Sequence, residues 1–320
     1  MSGGRVGLRR ARVQALAKIN LDLRVLGKRP DGYHELRTIF QTISLADTLE
    51  IGFGPGRRTL IEIEDPLEIP DNLVRKAAES VLEAIGIRGR VSIRLSKRIP
   101  MGAGLGGGSS DAAAVLLALP VLAGSVVGLP KLCELGAALG SDVPFFLLGG
   151  TAAGIGRGSE LFPLPDGPRR EGLLVAPAVH VSTAEAYRRL SARLTAELQD
   201  SRIFSFQSLV WDRGVPDNPC NDFEAVVFEQ HRQLVDLKRR LVRTGASPVL
   251  MSGSGSAIFG LFRGRGVARE VLGAGKNPLV NERVFPFSLV SRARYRSLWW
   301  RALNEHIDQR TWPPRSRYAR

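Results

Sequence analysis

Cysteine is almost missing from this chain of 320 residues: Cys133 and Cys220 stand far apart, and neither lies near a histidine. That excludes a disulfide framework and the paired Cys/His spacings of a zinc site, and leaves both thiols as small buried side chains or bystanders. Long apolar runs are also lacking, so a transmembrane helix of about 18 or more residues is excluded. The Arg9-Arg10 pair is followed only by the short apolar stretch Val13 to Ala17, which Lys18 interrupts. No signal-peptide core follows, and a cytoplasmic location is expected. A Walker A loop is missing too, because the two Gly-Lys pairs, at 27–28 and 275–276, are followed by Arg29 and Asn277. Neither H-R-D nor D-F-G occurs, which removes the protein kinases. There is no internal repeat and no long low-complexity segment.

What is present is ordinary in bulk and unusual in placement. Hydrophobic residues make up 44% and charged residues 24%, which fits a folded globular protein long enough for two domains. The net charge of +14 suggests nucleic acid until it is located along the chain. Residues 1–30 carry +7, residues 291–320 carry +6, and everything between totals +1. A nucleic-acid enzyme spreads a basic footprint over a folded face, so this terminal concentration weakens that reading.

The most informative segment is Ile99 to Ala114, Ile-Pro-Met-Gly-Ala-Gly-Leu-Gly-Gly-Gly-Ser-Ser-Asp-Ala-Ala-Ala. It joins an alternating, strand-like run (Val91 to Ser96) to a helix-prone run (Asp111 to Leu119), with Ser109 and Ser110 as N-cap candidates. Glycines let backbone N–H groups converge on phosphate oxygens at the positive end of a helix dipole. Gly102, Gly104 and Gly107 also satisfy G-x-G-x-x-G, but residues 124–134 are too broken to be the second strand of a dinucleotide fold. A phosphate loop is the better reading, and a plain surface loop is the bland one.

Along the chain, Val13–Val25 and Leu36–Glu50 read as antiparallel strands joined by a charged turn. Asp71-Asn72 caps a helix from Leu73 to about Ile85, and a further helix covers about Leu129 to Leu139. Gly149 to Gly158 closes the first half. A second half restarts with a strand at Leu173–Ala176, helices near Ala184–Leu198 and Phe223–Val242, and strands Val249–Met251 and Ala257–Phe262 around a second glycine turn at 252–256. Asn221-Asp222-Phe223-Glu224 resembles a capping box and is assigned to capping. An α+β chain in two domains, 1–160 and 161–290, with an extension at 291–320, is expected.

Phosphate transfer needs a positioned nucleophile and charge stabilisation as well as a phosphate loop. Lys18 and Asn20 lie two apart on one strand face and can enter one pocket. Asp142 sits in the apolar run Gly140 to Phe146, where desolvation calls for a cation such as Lys18. Singly, Lys18 reads as a snorkelling surface residue and Asp142 as a turn or cap. Tyr33 and His34 offer an aromatic face and a hydrogen-bonding ring suited to a flat base, against the bland alternative of core packing.

Ala-Lys-Ile-Asn at 17–20, Pro-Met-Gly-Ala-Gly-Leu-Gly-Gly-Gly-Ser-Ser at 100–110 and Met-Ser-Gly-Ser-Gly-Ser-Ala at 251–257 resemble the three ordered motifs of the GHMP small-molecule kinases. Lys18 to Leu21, Arg29 to His34, Phe40-Gln41, Asp47 and Gly140 to Phe146 are similar to the branch acting on a cytidyl-linked polyol in isoprenoid-precursor synthesis. The likeness spans roughly residues 14–290. It implies an α+β fold of two domains, ribosomal-S5-like and ferredoxin-like, with ATP and substrate meeting in the cleft. Pro100, Met101, Gly102, Ala103, Gly104, Leu105, Gly106, Gly107, Gly108, Ser109 and Ser110 would grip the ATP phosphates, with Asn72 and Lys97 on the adenine side. Asp142 would take the hydroxyl proton and Lys18 would orient it and stabilise developing charge. Asn20 would hold substrate, His34 would bond the cytosine with Tyr33 stacking on it, and Thr183 would be a contact, with Tyr187 as the opposite stacking face. Val179 to Tyr187 matches a pocket-closing segment more loosely, and Tyr187 stands where phenylalanine is frequent. ATP chemistry implies Mg²⁺, for which Ser110 is the candidate ligand.

Competing readings are a GHMP kinase for mevalonate, homoserine or a sugar, and a non-catalytic nucleic-acid-binding protein. The Tyr33-His34 pair argues against the first and the Lys18–Asp142 pair against the second. Past the family's usual end, Tyr295, Leu298, Trp299, Ala302, Leu303 and His306 form an apolar helical stripe, expected to dock on the protein body or on a homodimer mate. Attachment to a membrane surface or nucleic acid is the sharper alternative. Residues 307–320 are expected to be disordered.

Overall fold

The computed structural model describes residues 8–193, 206, 219–273, 279 and 282–319. Strands β1 (Arg9–Lys28) and β2 (His34–Pro55) form a long antiparallel hairpin, extending the expected strands at both ends. Its register slips between Leu16 and Lys18 and again between Asn20 and Asp22, so Lys18-Ile19-Asn20 is a short regular stretch between two irregularities. Such bulges twist a strand and re-aim its side chains. The other edge of β2 recruits β4 (Gly89–Ser96) along Thr48–Pro55 and β5 (Thr151–Gly156) along Leu36–Gln41. The edges are β3 (Leu60–Glu64), parallel to β4, and β6 (Glu160–Pro163), antiparallel to β5.

Four helices cover one face of this sheet: α1 (Leu73–Ile85), α2 (Gly107–Ala123), α3 (Leu129–Leu139) and α4 (Val143–Leu148). In α1 the buried residues Val74, Ala77, Ala78, Val81 and Leu82 follow helical spacing, as expected of an amphipathic helix. Asn72 caps it by accepting the Val74 N–H at 3.0 Å, and Gly86 ends it in the left-handed region. In contrast, α2 is buried on all sides from Ser110 to Leu122 and forms the centre of the domain. The short α4, beyond α3, was not anticipated as a helix.

The second sheet is antiparallel, in the order β10 (Val284–Ser288), β7 (Glu171–Val175), β9 (Ile258–Phe262), β8 (Val249–Met251). Against it pack α5 (Thr183–Ser191), α6 (Glu224–Gln230), α7 (Arg232–Val242) and α8 (Val267–Gly273). The helix expected over 223–242 is interrupted at His231, where the backbone takes φ −127°, ψ 74°. The one expected to run to Leu198 ends at Ser191, and its last expected residues lie outside the described residues. The fold is α+β in two domains. Among the described residues no helix is long and apolar enough to cross a membrane.

The extension departs most from expectation. Helix α9 (Arg292–Ala302), capped by Ser291, buries Tyr295 and Trp299, and Leu303, His306 and Ile307 follow into the core of the first domain. Residues 307–319 are ordered against the body: the Trp312 indole N–H donates to Leu147 O at 3.0 Å and the Ser316 hydroxyl to Val121 O at 2.7 Å. The expected disorder fails because Ile307, Trp312 and the buried Pro313 and Pro314 supply apolar surface that finds a site on the chain's own body. The two charged termini also meet, since Arg9 donates to Leu122 O at 2.8 Å and lies 3.8 Å over the Tyr318 ring.

Beneath the first turn of α2, one ammonium serves two buried carboxylates. Lys97 Nζ reaches Asp47 at 2.5 Å and Asp111 at 2.7 Å. Asp47 also accepts the N–H groups of Arg98 and Ile99. Asp111 is poorer in donors, its Oδ1 being buried without a partner. Burial, with a smaller push from the neighbouring Asp47, raises the Asp111 carboxyl to about 7 against the pull of Lys97. An acid whose folded pKa exceeds its unfolded value binds extra protons when folded, so its contribution falls as pH rises from about 4 through about 7. Thermal melts between pH 5 and pH 8 are therefore expected to show Asp111→Asn gaining stability relative to wild type as pH rises; a constant difference would refute this.

Candidate active site

Both bulges serve one buried charge. Lys18, 5% exposed at its side chain, donates to Asn20 Oδ1 at 2.8 Å and pairs with Asp142 Oδ2 at 3.5 Å. The i, i+2 spacing of a strand is what brings Lys18 and Asn20 to one face. Asn20 passes the contact onward, its amide donating to Thr38 Oγ1 at 2.7 Å while Oδ1 also accepts the Gly253 N–H at 3.0 Å. Asp142 begins α4 without capping it by its side chain, which is a third exposed and faces the cleft.

The glycine loop folds over Lys18, whose N–H donates to Leu105 O at 3.1 Å. Gly102, Gly104 and Gly106 take left-handed φ of 65°, 76° and 69°. At Gly106 a Cβ would lie 2.8 Å from the Phe146 ring, and at Gly104 2.0 Å from Ser252 O, so neither position admits another residue. Gly106 in this conformation starts α2 at Gly107, three or four residues earlier than Ser109 or Ser110 would as caps. The helix ladder begins with Ser110 N–H on Gly106 O, so the N–H groups of Gly107, Gly108 and Ser109 precede the first intrahelical bond, as at any helix start. Ala103 and Leu105 are buried anchors, Met101 is exposed at the tip and Pro100 precedes it.

Other expected nucleotide residues are engaged elsewhere. Asn72 spends its amide on the α1 cap and on Asp65, although its neighbour Leu73 lies 3.9 Å from the place of a Cβ on Gly108. Lys97 is held in its two-carboxylate pocket beside Gly107. Ser110 is buried, with its hydroxyl donating to Leu16 O at 2.7 Å, and does not fit a Mg²⁺ ligand in that orientation. Among the described residues no group of three or more His, Cys, Asp or Glu converges on a metal position.

A cleft of about 1130 Å³ unites the remaining candidates, running from Lys18, Asn20, Asp142 and the glycine loop to Tyr33, His34, Thr183 and Tyr187. At its far end the expected arrangement is modified. His34 stacks on Tyr187, with centroids 4.5 Å apart and planes at 22°, and its Nε2 contacts the Ser191 hydroxyl. Burial, with Lys28 nearby, lowers the His34 pKa and favours a neutral ring that can both donate and accept. Tyr187 is itself largely buried, and that burial together with the Asp142 charge raises its phenol pKa. The Tyr33 ring, on the wall of the same cleft, carries the Arg157 guanidinium at 3.7 Å. Thr183 closes the second wall through Ser254, hydroxyl to hydroxyl at 2.8 Å.

Three contributors escaped the sequence reading. Arg157, from the β5–β6 turn, binds Asp31 at 3.0 Å as well as Tyr33, and Asp31 accepts the Tyr33 N–H. That guanidinium, burial aside, holds the Asp31 carboxyl down at about 2. Thr38 supports Asn20. Asn221 does more than cap: its amide donates to Met251 O at 2.7 Å and Gly253 O at 2.8 Å, fixing the second glycine turn. The capping-box reading fails at Glu224, which accepts the Met251 N–H and pairs with Lys238. Only the glycines near 252–256 pointed to this turn, and nothing local marks an asparagine thirty residues away as its anchor.

Comparison with known proteins agrees with this geometry. Residues 72–150 match the model for the GHMP kinases N terminal domain, and residues 211–281 that for the GHMP kinases C terminal. A curated protein of Solibacter usitatus, 4-diphosphocytidyl-2-C-methyl-D-erythritol kinase, is 65% identical over 97% of this chain and 98% of its own. The protein of that name from Geobacter metallireducens is 41% identical over 81% of this chain and 93% of its own. A crystal structure of 4-(cytidine 5'-diphospho)-2C-methyl-D-erythritol kinase superposes with a TM-score of 0.71 at 38% identity, covering 87% of this chain and 98% of that one. A homoserine kinase from Cytophaga hutchinsonii, at 20% identity and a TM-score of 0.66, shares the fold. With its glycine loop, its Lys18–Asp142 pair and a near full-length relative at 65% identity, this chain belongs to the GHMP kinase family.

Proposed function

We propose that the protein transfers the γ-phosphoryl group of ATP to the 2-hydroxyl of 4-diphosphocytidyl-2-C-methyl-D-erythritol, giving the 2-phosphate and ADP. The observation that carries the reading is the Lys18–Asp142 pair at 3.5 Å, in one cleft with a phosphate loop at one end and the His34–Tyr187 stack at the other. The name and 65% identity of the Solibacter usitatus relative support the substrate.

In this mechanism Asp142 accepts the hydroxyl proton as the oxygen attacks phosphorus in line and the bond to the leaving ADP oxygen breaks. Lys18 holds Asp142 by charge and Asn20 by hydrogen bond, and its ammonium offsets negative charge on the transferring group. The loop N–H groups hold the phosphates. Mg²⁺ bound by the nucleotide would neutralise phosphate charge; such an ion keeps several waters and needs few protein ligands. At the base end, cytosine takes its hydrogen bonds from His34 and stacks on Tyr33 or Tyr187, with Thr183 closing the pocket. Mevalonate, homoserine and galactose bring no base to this end. The basic termini support nucleic-acid binding poorly, because Arg9 and Arg292 are spent on docking the ends of the chain. The apolar stripe of α9 is likewise consumed internally and provides no face for a homodimer. A metabolic enzyme using ATP fits a cytoplasmic location.

Asp142→Asn is expected to lower turnover by about 100-fold or more, the scale of a general base, with ATP binding by calorimetry nearly intact. Near wild-type turnover would remove the role given to Asp142. In a steady-state panel, His34→Ala is expected to raise the KM for the cytidyl substrate about tenfold, the scale of one lost hydrogen bond, without changing that for ATP. Arg157→Lys keeps the charge but loses the planar fork over Tyr33, and should raise the same KM about two- to fivefold. ATP consumption with mevalonate, homoserine or galactose instead of the cytidyl compound would refute the substrate.

A further inference from the structure

Asp142 owes its position to a short helix that core packing of Val143 to Leu147 anchors but whose last carbonyls its own backbone cannot satisfy. Helix α4 has six residues, and its last carbonyls lie beyond the reach of intrahelical donors. The side chain of Asp142 adds little restraint of its own: it caps no N–H group of α4, and its partner Lys18 lies at ion-pair distance. A carboxylate placed this way sits wherever the backbone of α4 puts it.

The missing donors come from the C-terminal extension. The Tyr295 hydroxyl donates to Phe146 O, and the Trp312 indole N–H donates to Leu147 O at 3.0 Å. The Arg292 guanidinium donates to Gly149 O at 3.2 Å and to Thr151 O at 2.5 Å, joining the end of α4 to the start of β5. Packing fits the bonds. The fully buried Tyr295 ring occupies the space a side chain at residue 149 would need, since a Cβ there would lie 2.2 Å from the ring. Trp312 and Trp299 meet the same ring edge to face, with centroids 6.0 and 6.4 Å away.

We propose that the extension, through Arg292, Tyr295 and Trp312, positions Asp142 against Lys18 by completing the C-terminal end of α4. These three are positioning residues, for none touches the cleft. The inference rests on the reading of Asp142 as the proton acceptor, and it assigns to residues 292–312 a part in the reaction's geometry beyond their part in stability. Phosphoryl transfer is sensitive to such geometry, because a misplacement of about 1 Å can cost on the order of 100-fold in rate.

The test uses the full-length double variant Tyr295→Phe/Trp312→Phe, which keeps an aromatic ring at each position and removes both donors. Ser316→Ala is the control, since its hydroxyl binds Val121 O in α2, away from α4. Amide hydrogen exchange over residues 141–149 and steady-state kinetics are measured well below each melting temperature. The double variant should exchange faster over 141–149 and lose roughly tenfold in kcat, with KM for ATP and for the cytidyl substrate within about twofold. Ser316→Ala should lower the melting temperature only. An unchanged kcat in the folded double variant, or an equal loss in Ser316→Ala, would overturn the proposal. Wild-type protein with no turnover of the cytidyl compound would instead defeat the functional reading; the extension would then stand or fall on the exchange rates of 141–149.

Discussion

A buried ammonium is the constraint around which the cleft is organised. Lys18 enters the interior on β1, and a cation there is tolerated only when paired and hydrogen-bonded. Asn20 and Asp142 meet that demand, one from the same strand and one from a helix more than a hundred residues away. The pairing requires α4 to begin beside β1, and the Phe146 ring of α4 is what forbids a side chain at Gly106. Lysine, carboxylate and phosphate loop are thereby parts of one packing arrangement.

The second domain is attached to this arrangement through backbone. Ser252 O approaches so closely that a Cβ on Gly104 would overlap it, the Ser252 hydroxyl donates to Gly104 O at 3.0 Å, and Gly253 N–H donates to Asn20. Two glycine turns pressed together let the domains approach more closely than side chains would permit. Asn221 holds the second turn from behind. A substitution at either turn would therefore disturb the domain junction and the phosphate site together.

Features governed by local rules were legible in the sequence. The cap at Asn72, the spacing within α1, the extent of α3, the shared face of Lys18 and Asn20, and a glycine turn at 102–108 leading into a helix all follow from short-range periodicity or turn chemistry. Features that depend on distant partners were not. Ser109 and Ser110 look like caps until the crowding at Gly106 moves the helix start. Asn221 reads as a cap until its amide is seen between two carbonyls of another turn. Arg157 lies in an unremarkable glycine-flanked turn, and only tertiary structure lays it on Tyr33. The tail misled in the same way: its arginines suggested solvent, while Tyr295 and Trp312 were matched to carbonyls that no sequence pattern reveals.

The two ends of the cleft are built from different materials, and this follows from what each must recognise. A phosphate group is the same in every nucleotide, so it can be met by backbone N–H groups at the start of a helix, where side-chain identity matters only through its absence. A base differs from its alternatives by a few polar edges and a π face, and only side chains distinguish it. By this logic the proposed phosphate end is lined by the backbone of two glycine turns, Gly102 to Gly106 and Gly253 to Gly255, while the proposed base end carries side chains, with Tyr33 on the β1–β2 turn, His34 at the start of β2, and Tyr187 and Thr183 on α5 of the second domain. The His34–Tyr187 stack crosses between the domains, so a base bound as proposed would depend on how the two domains sit.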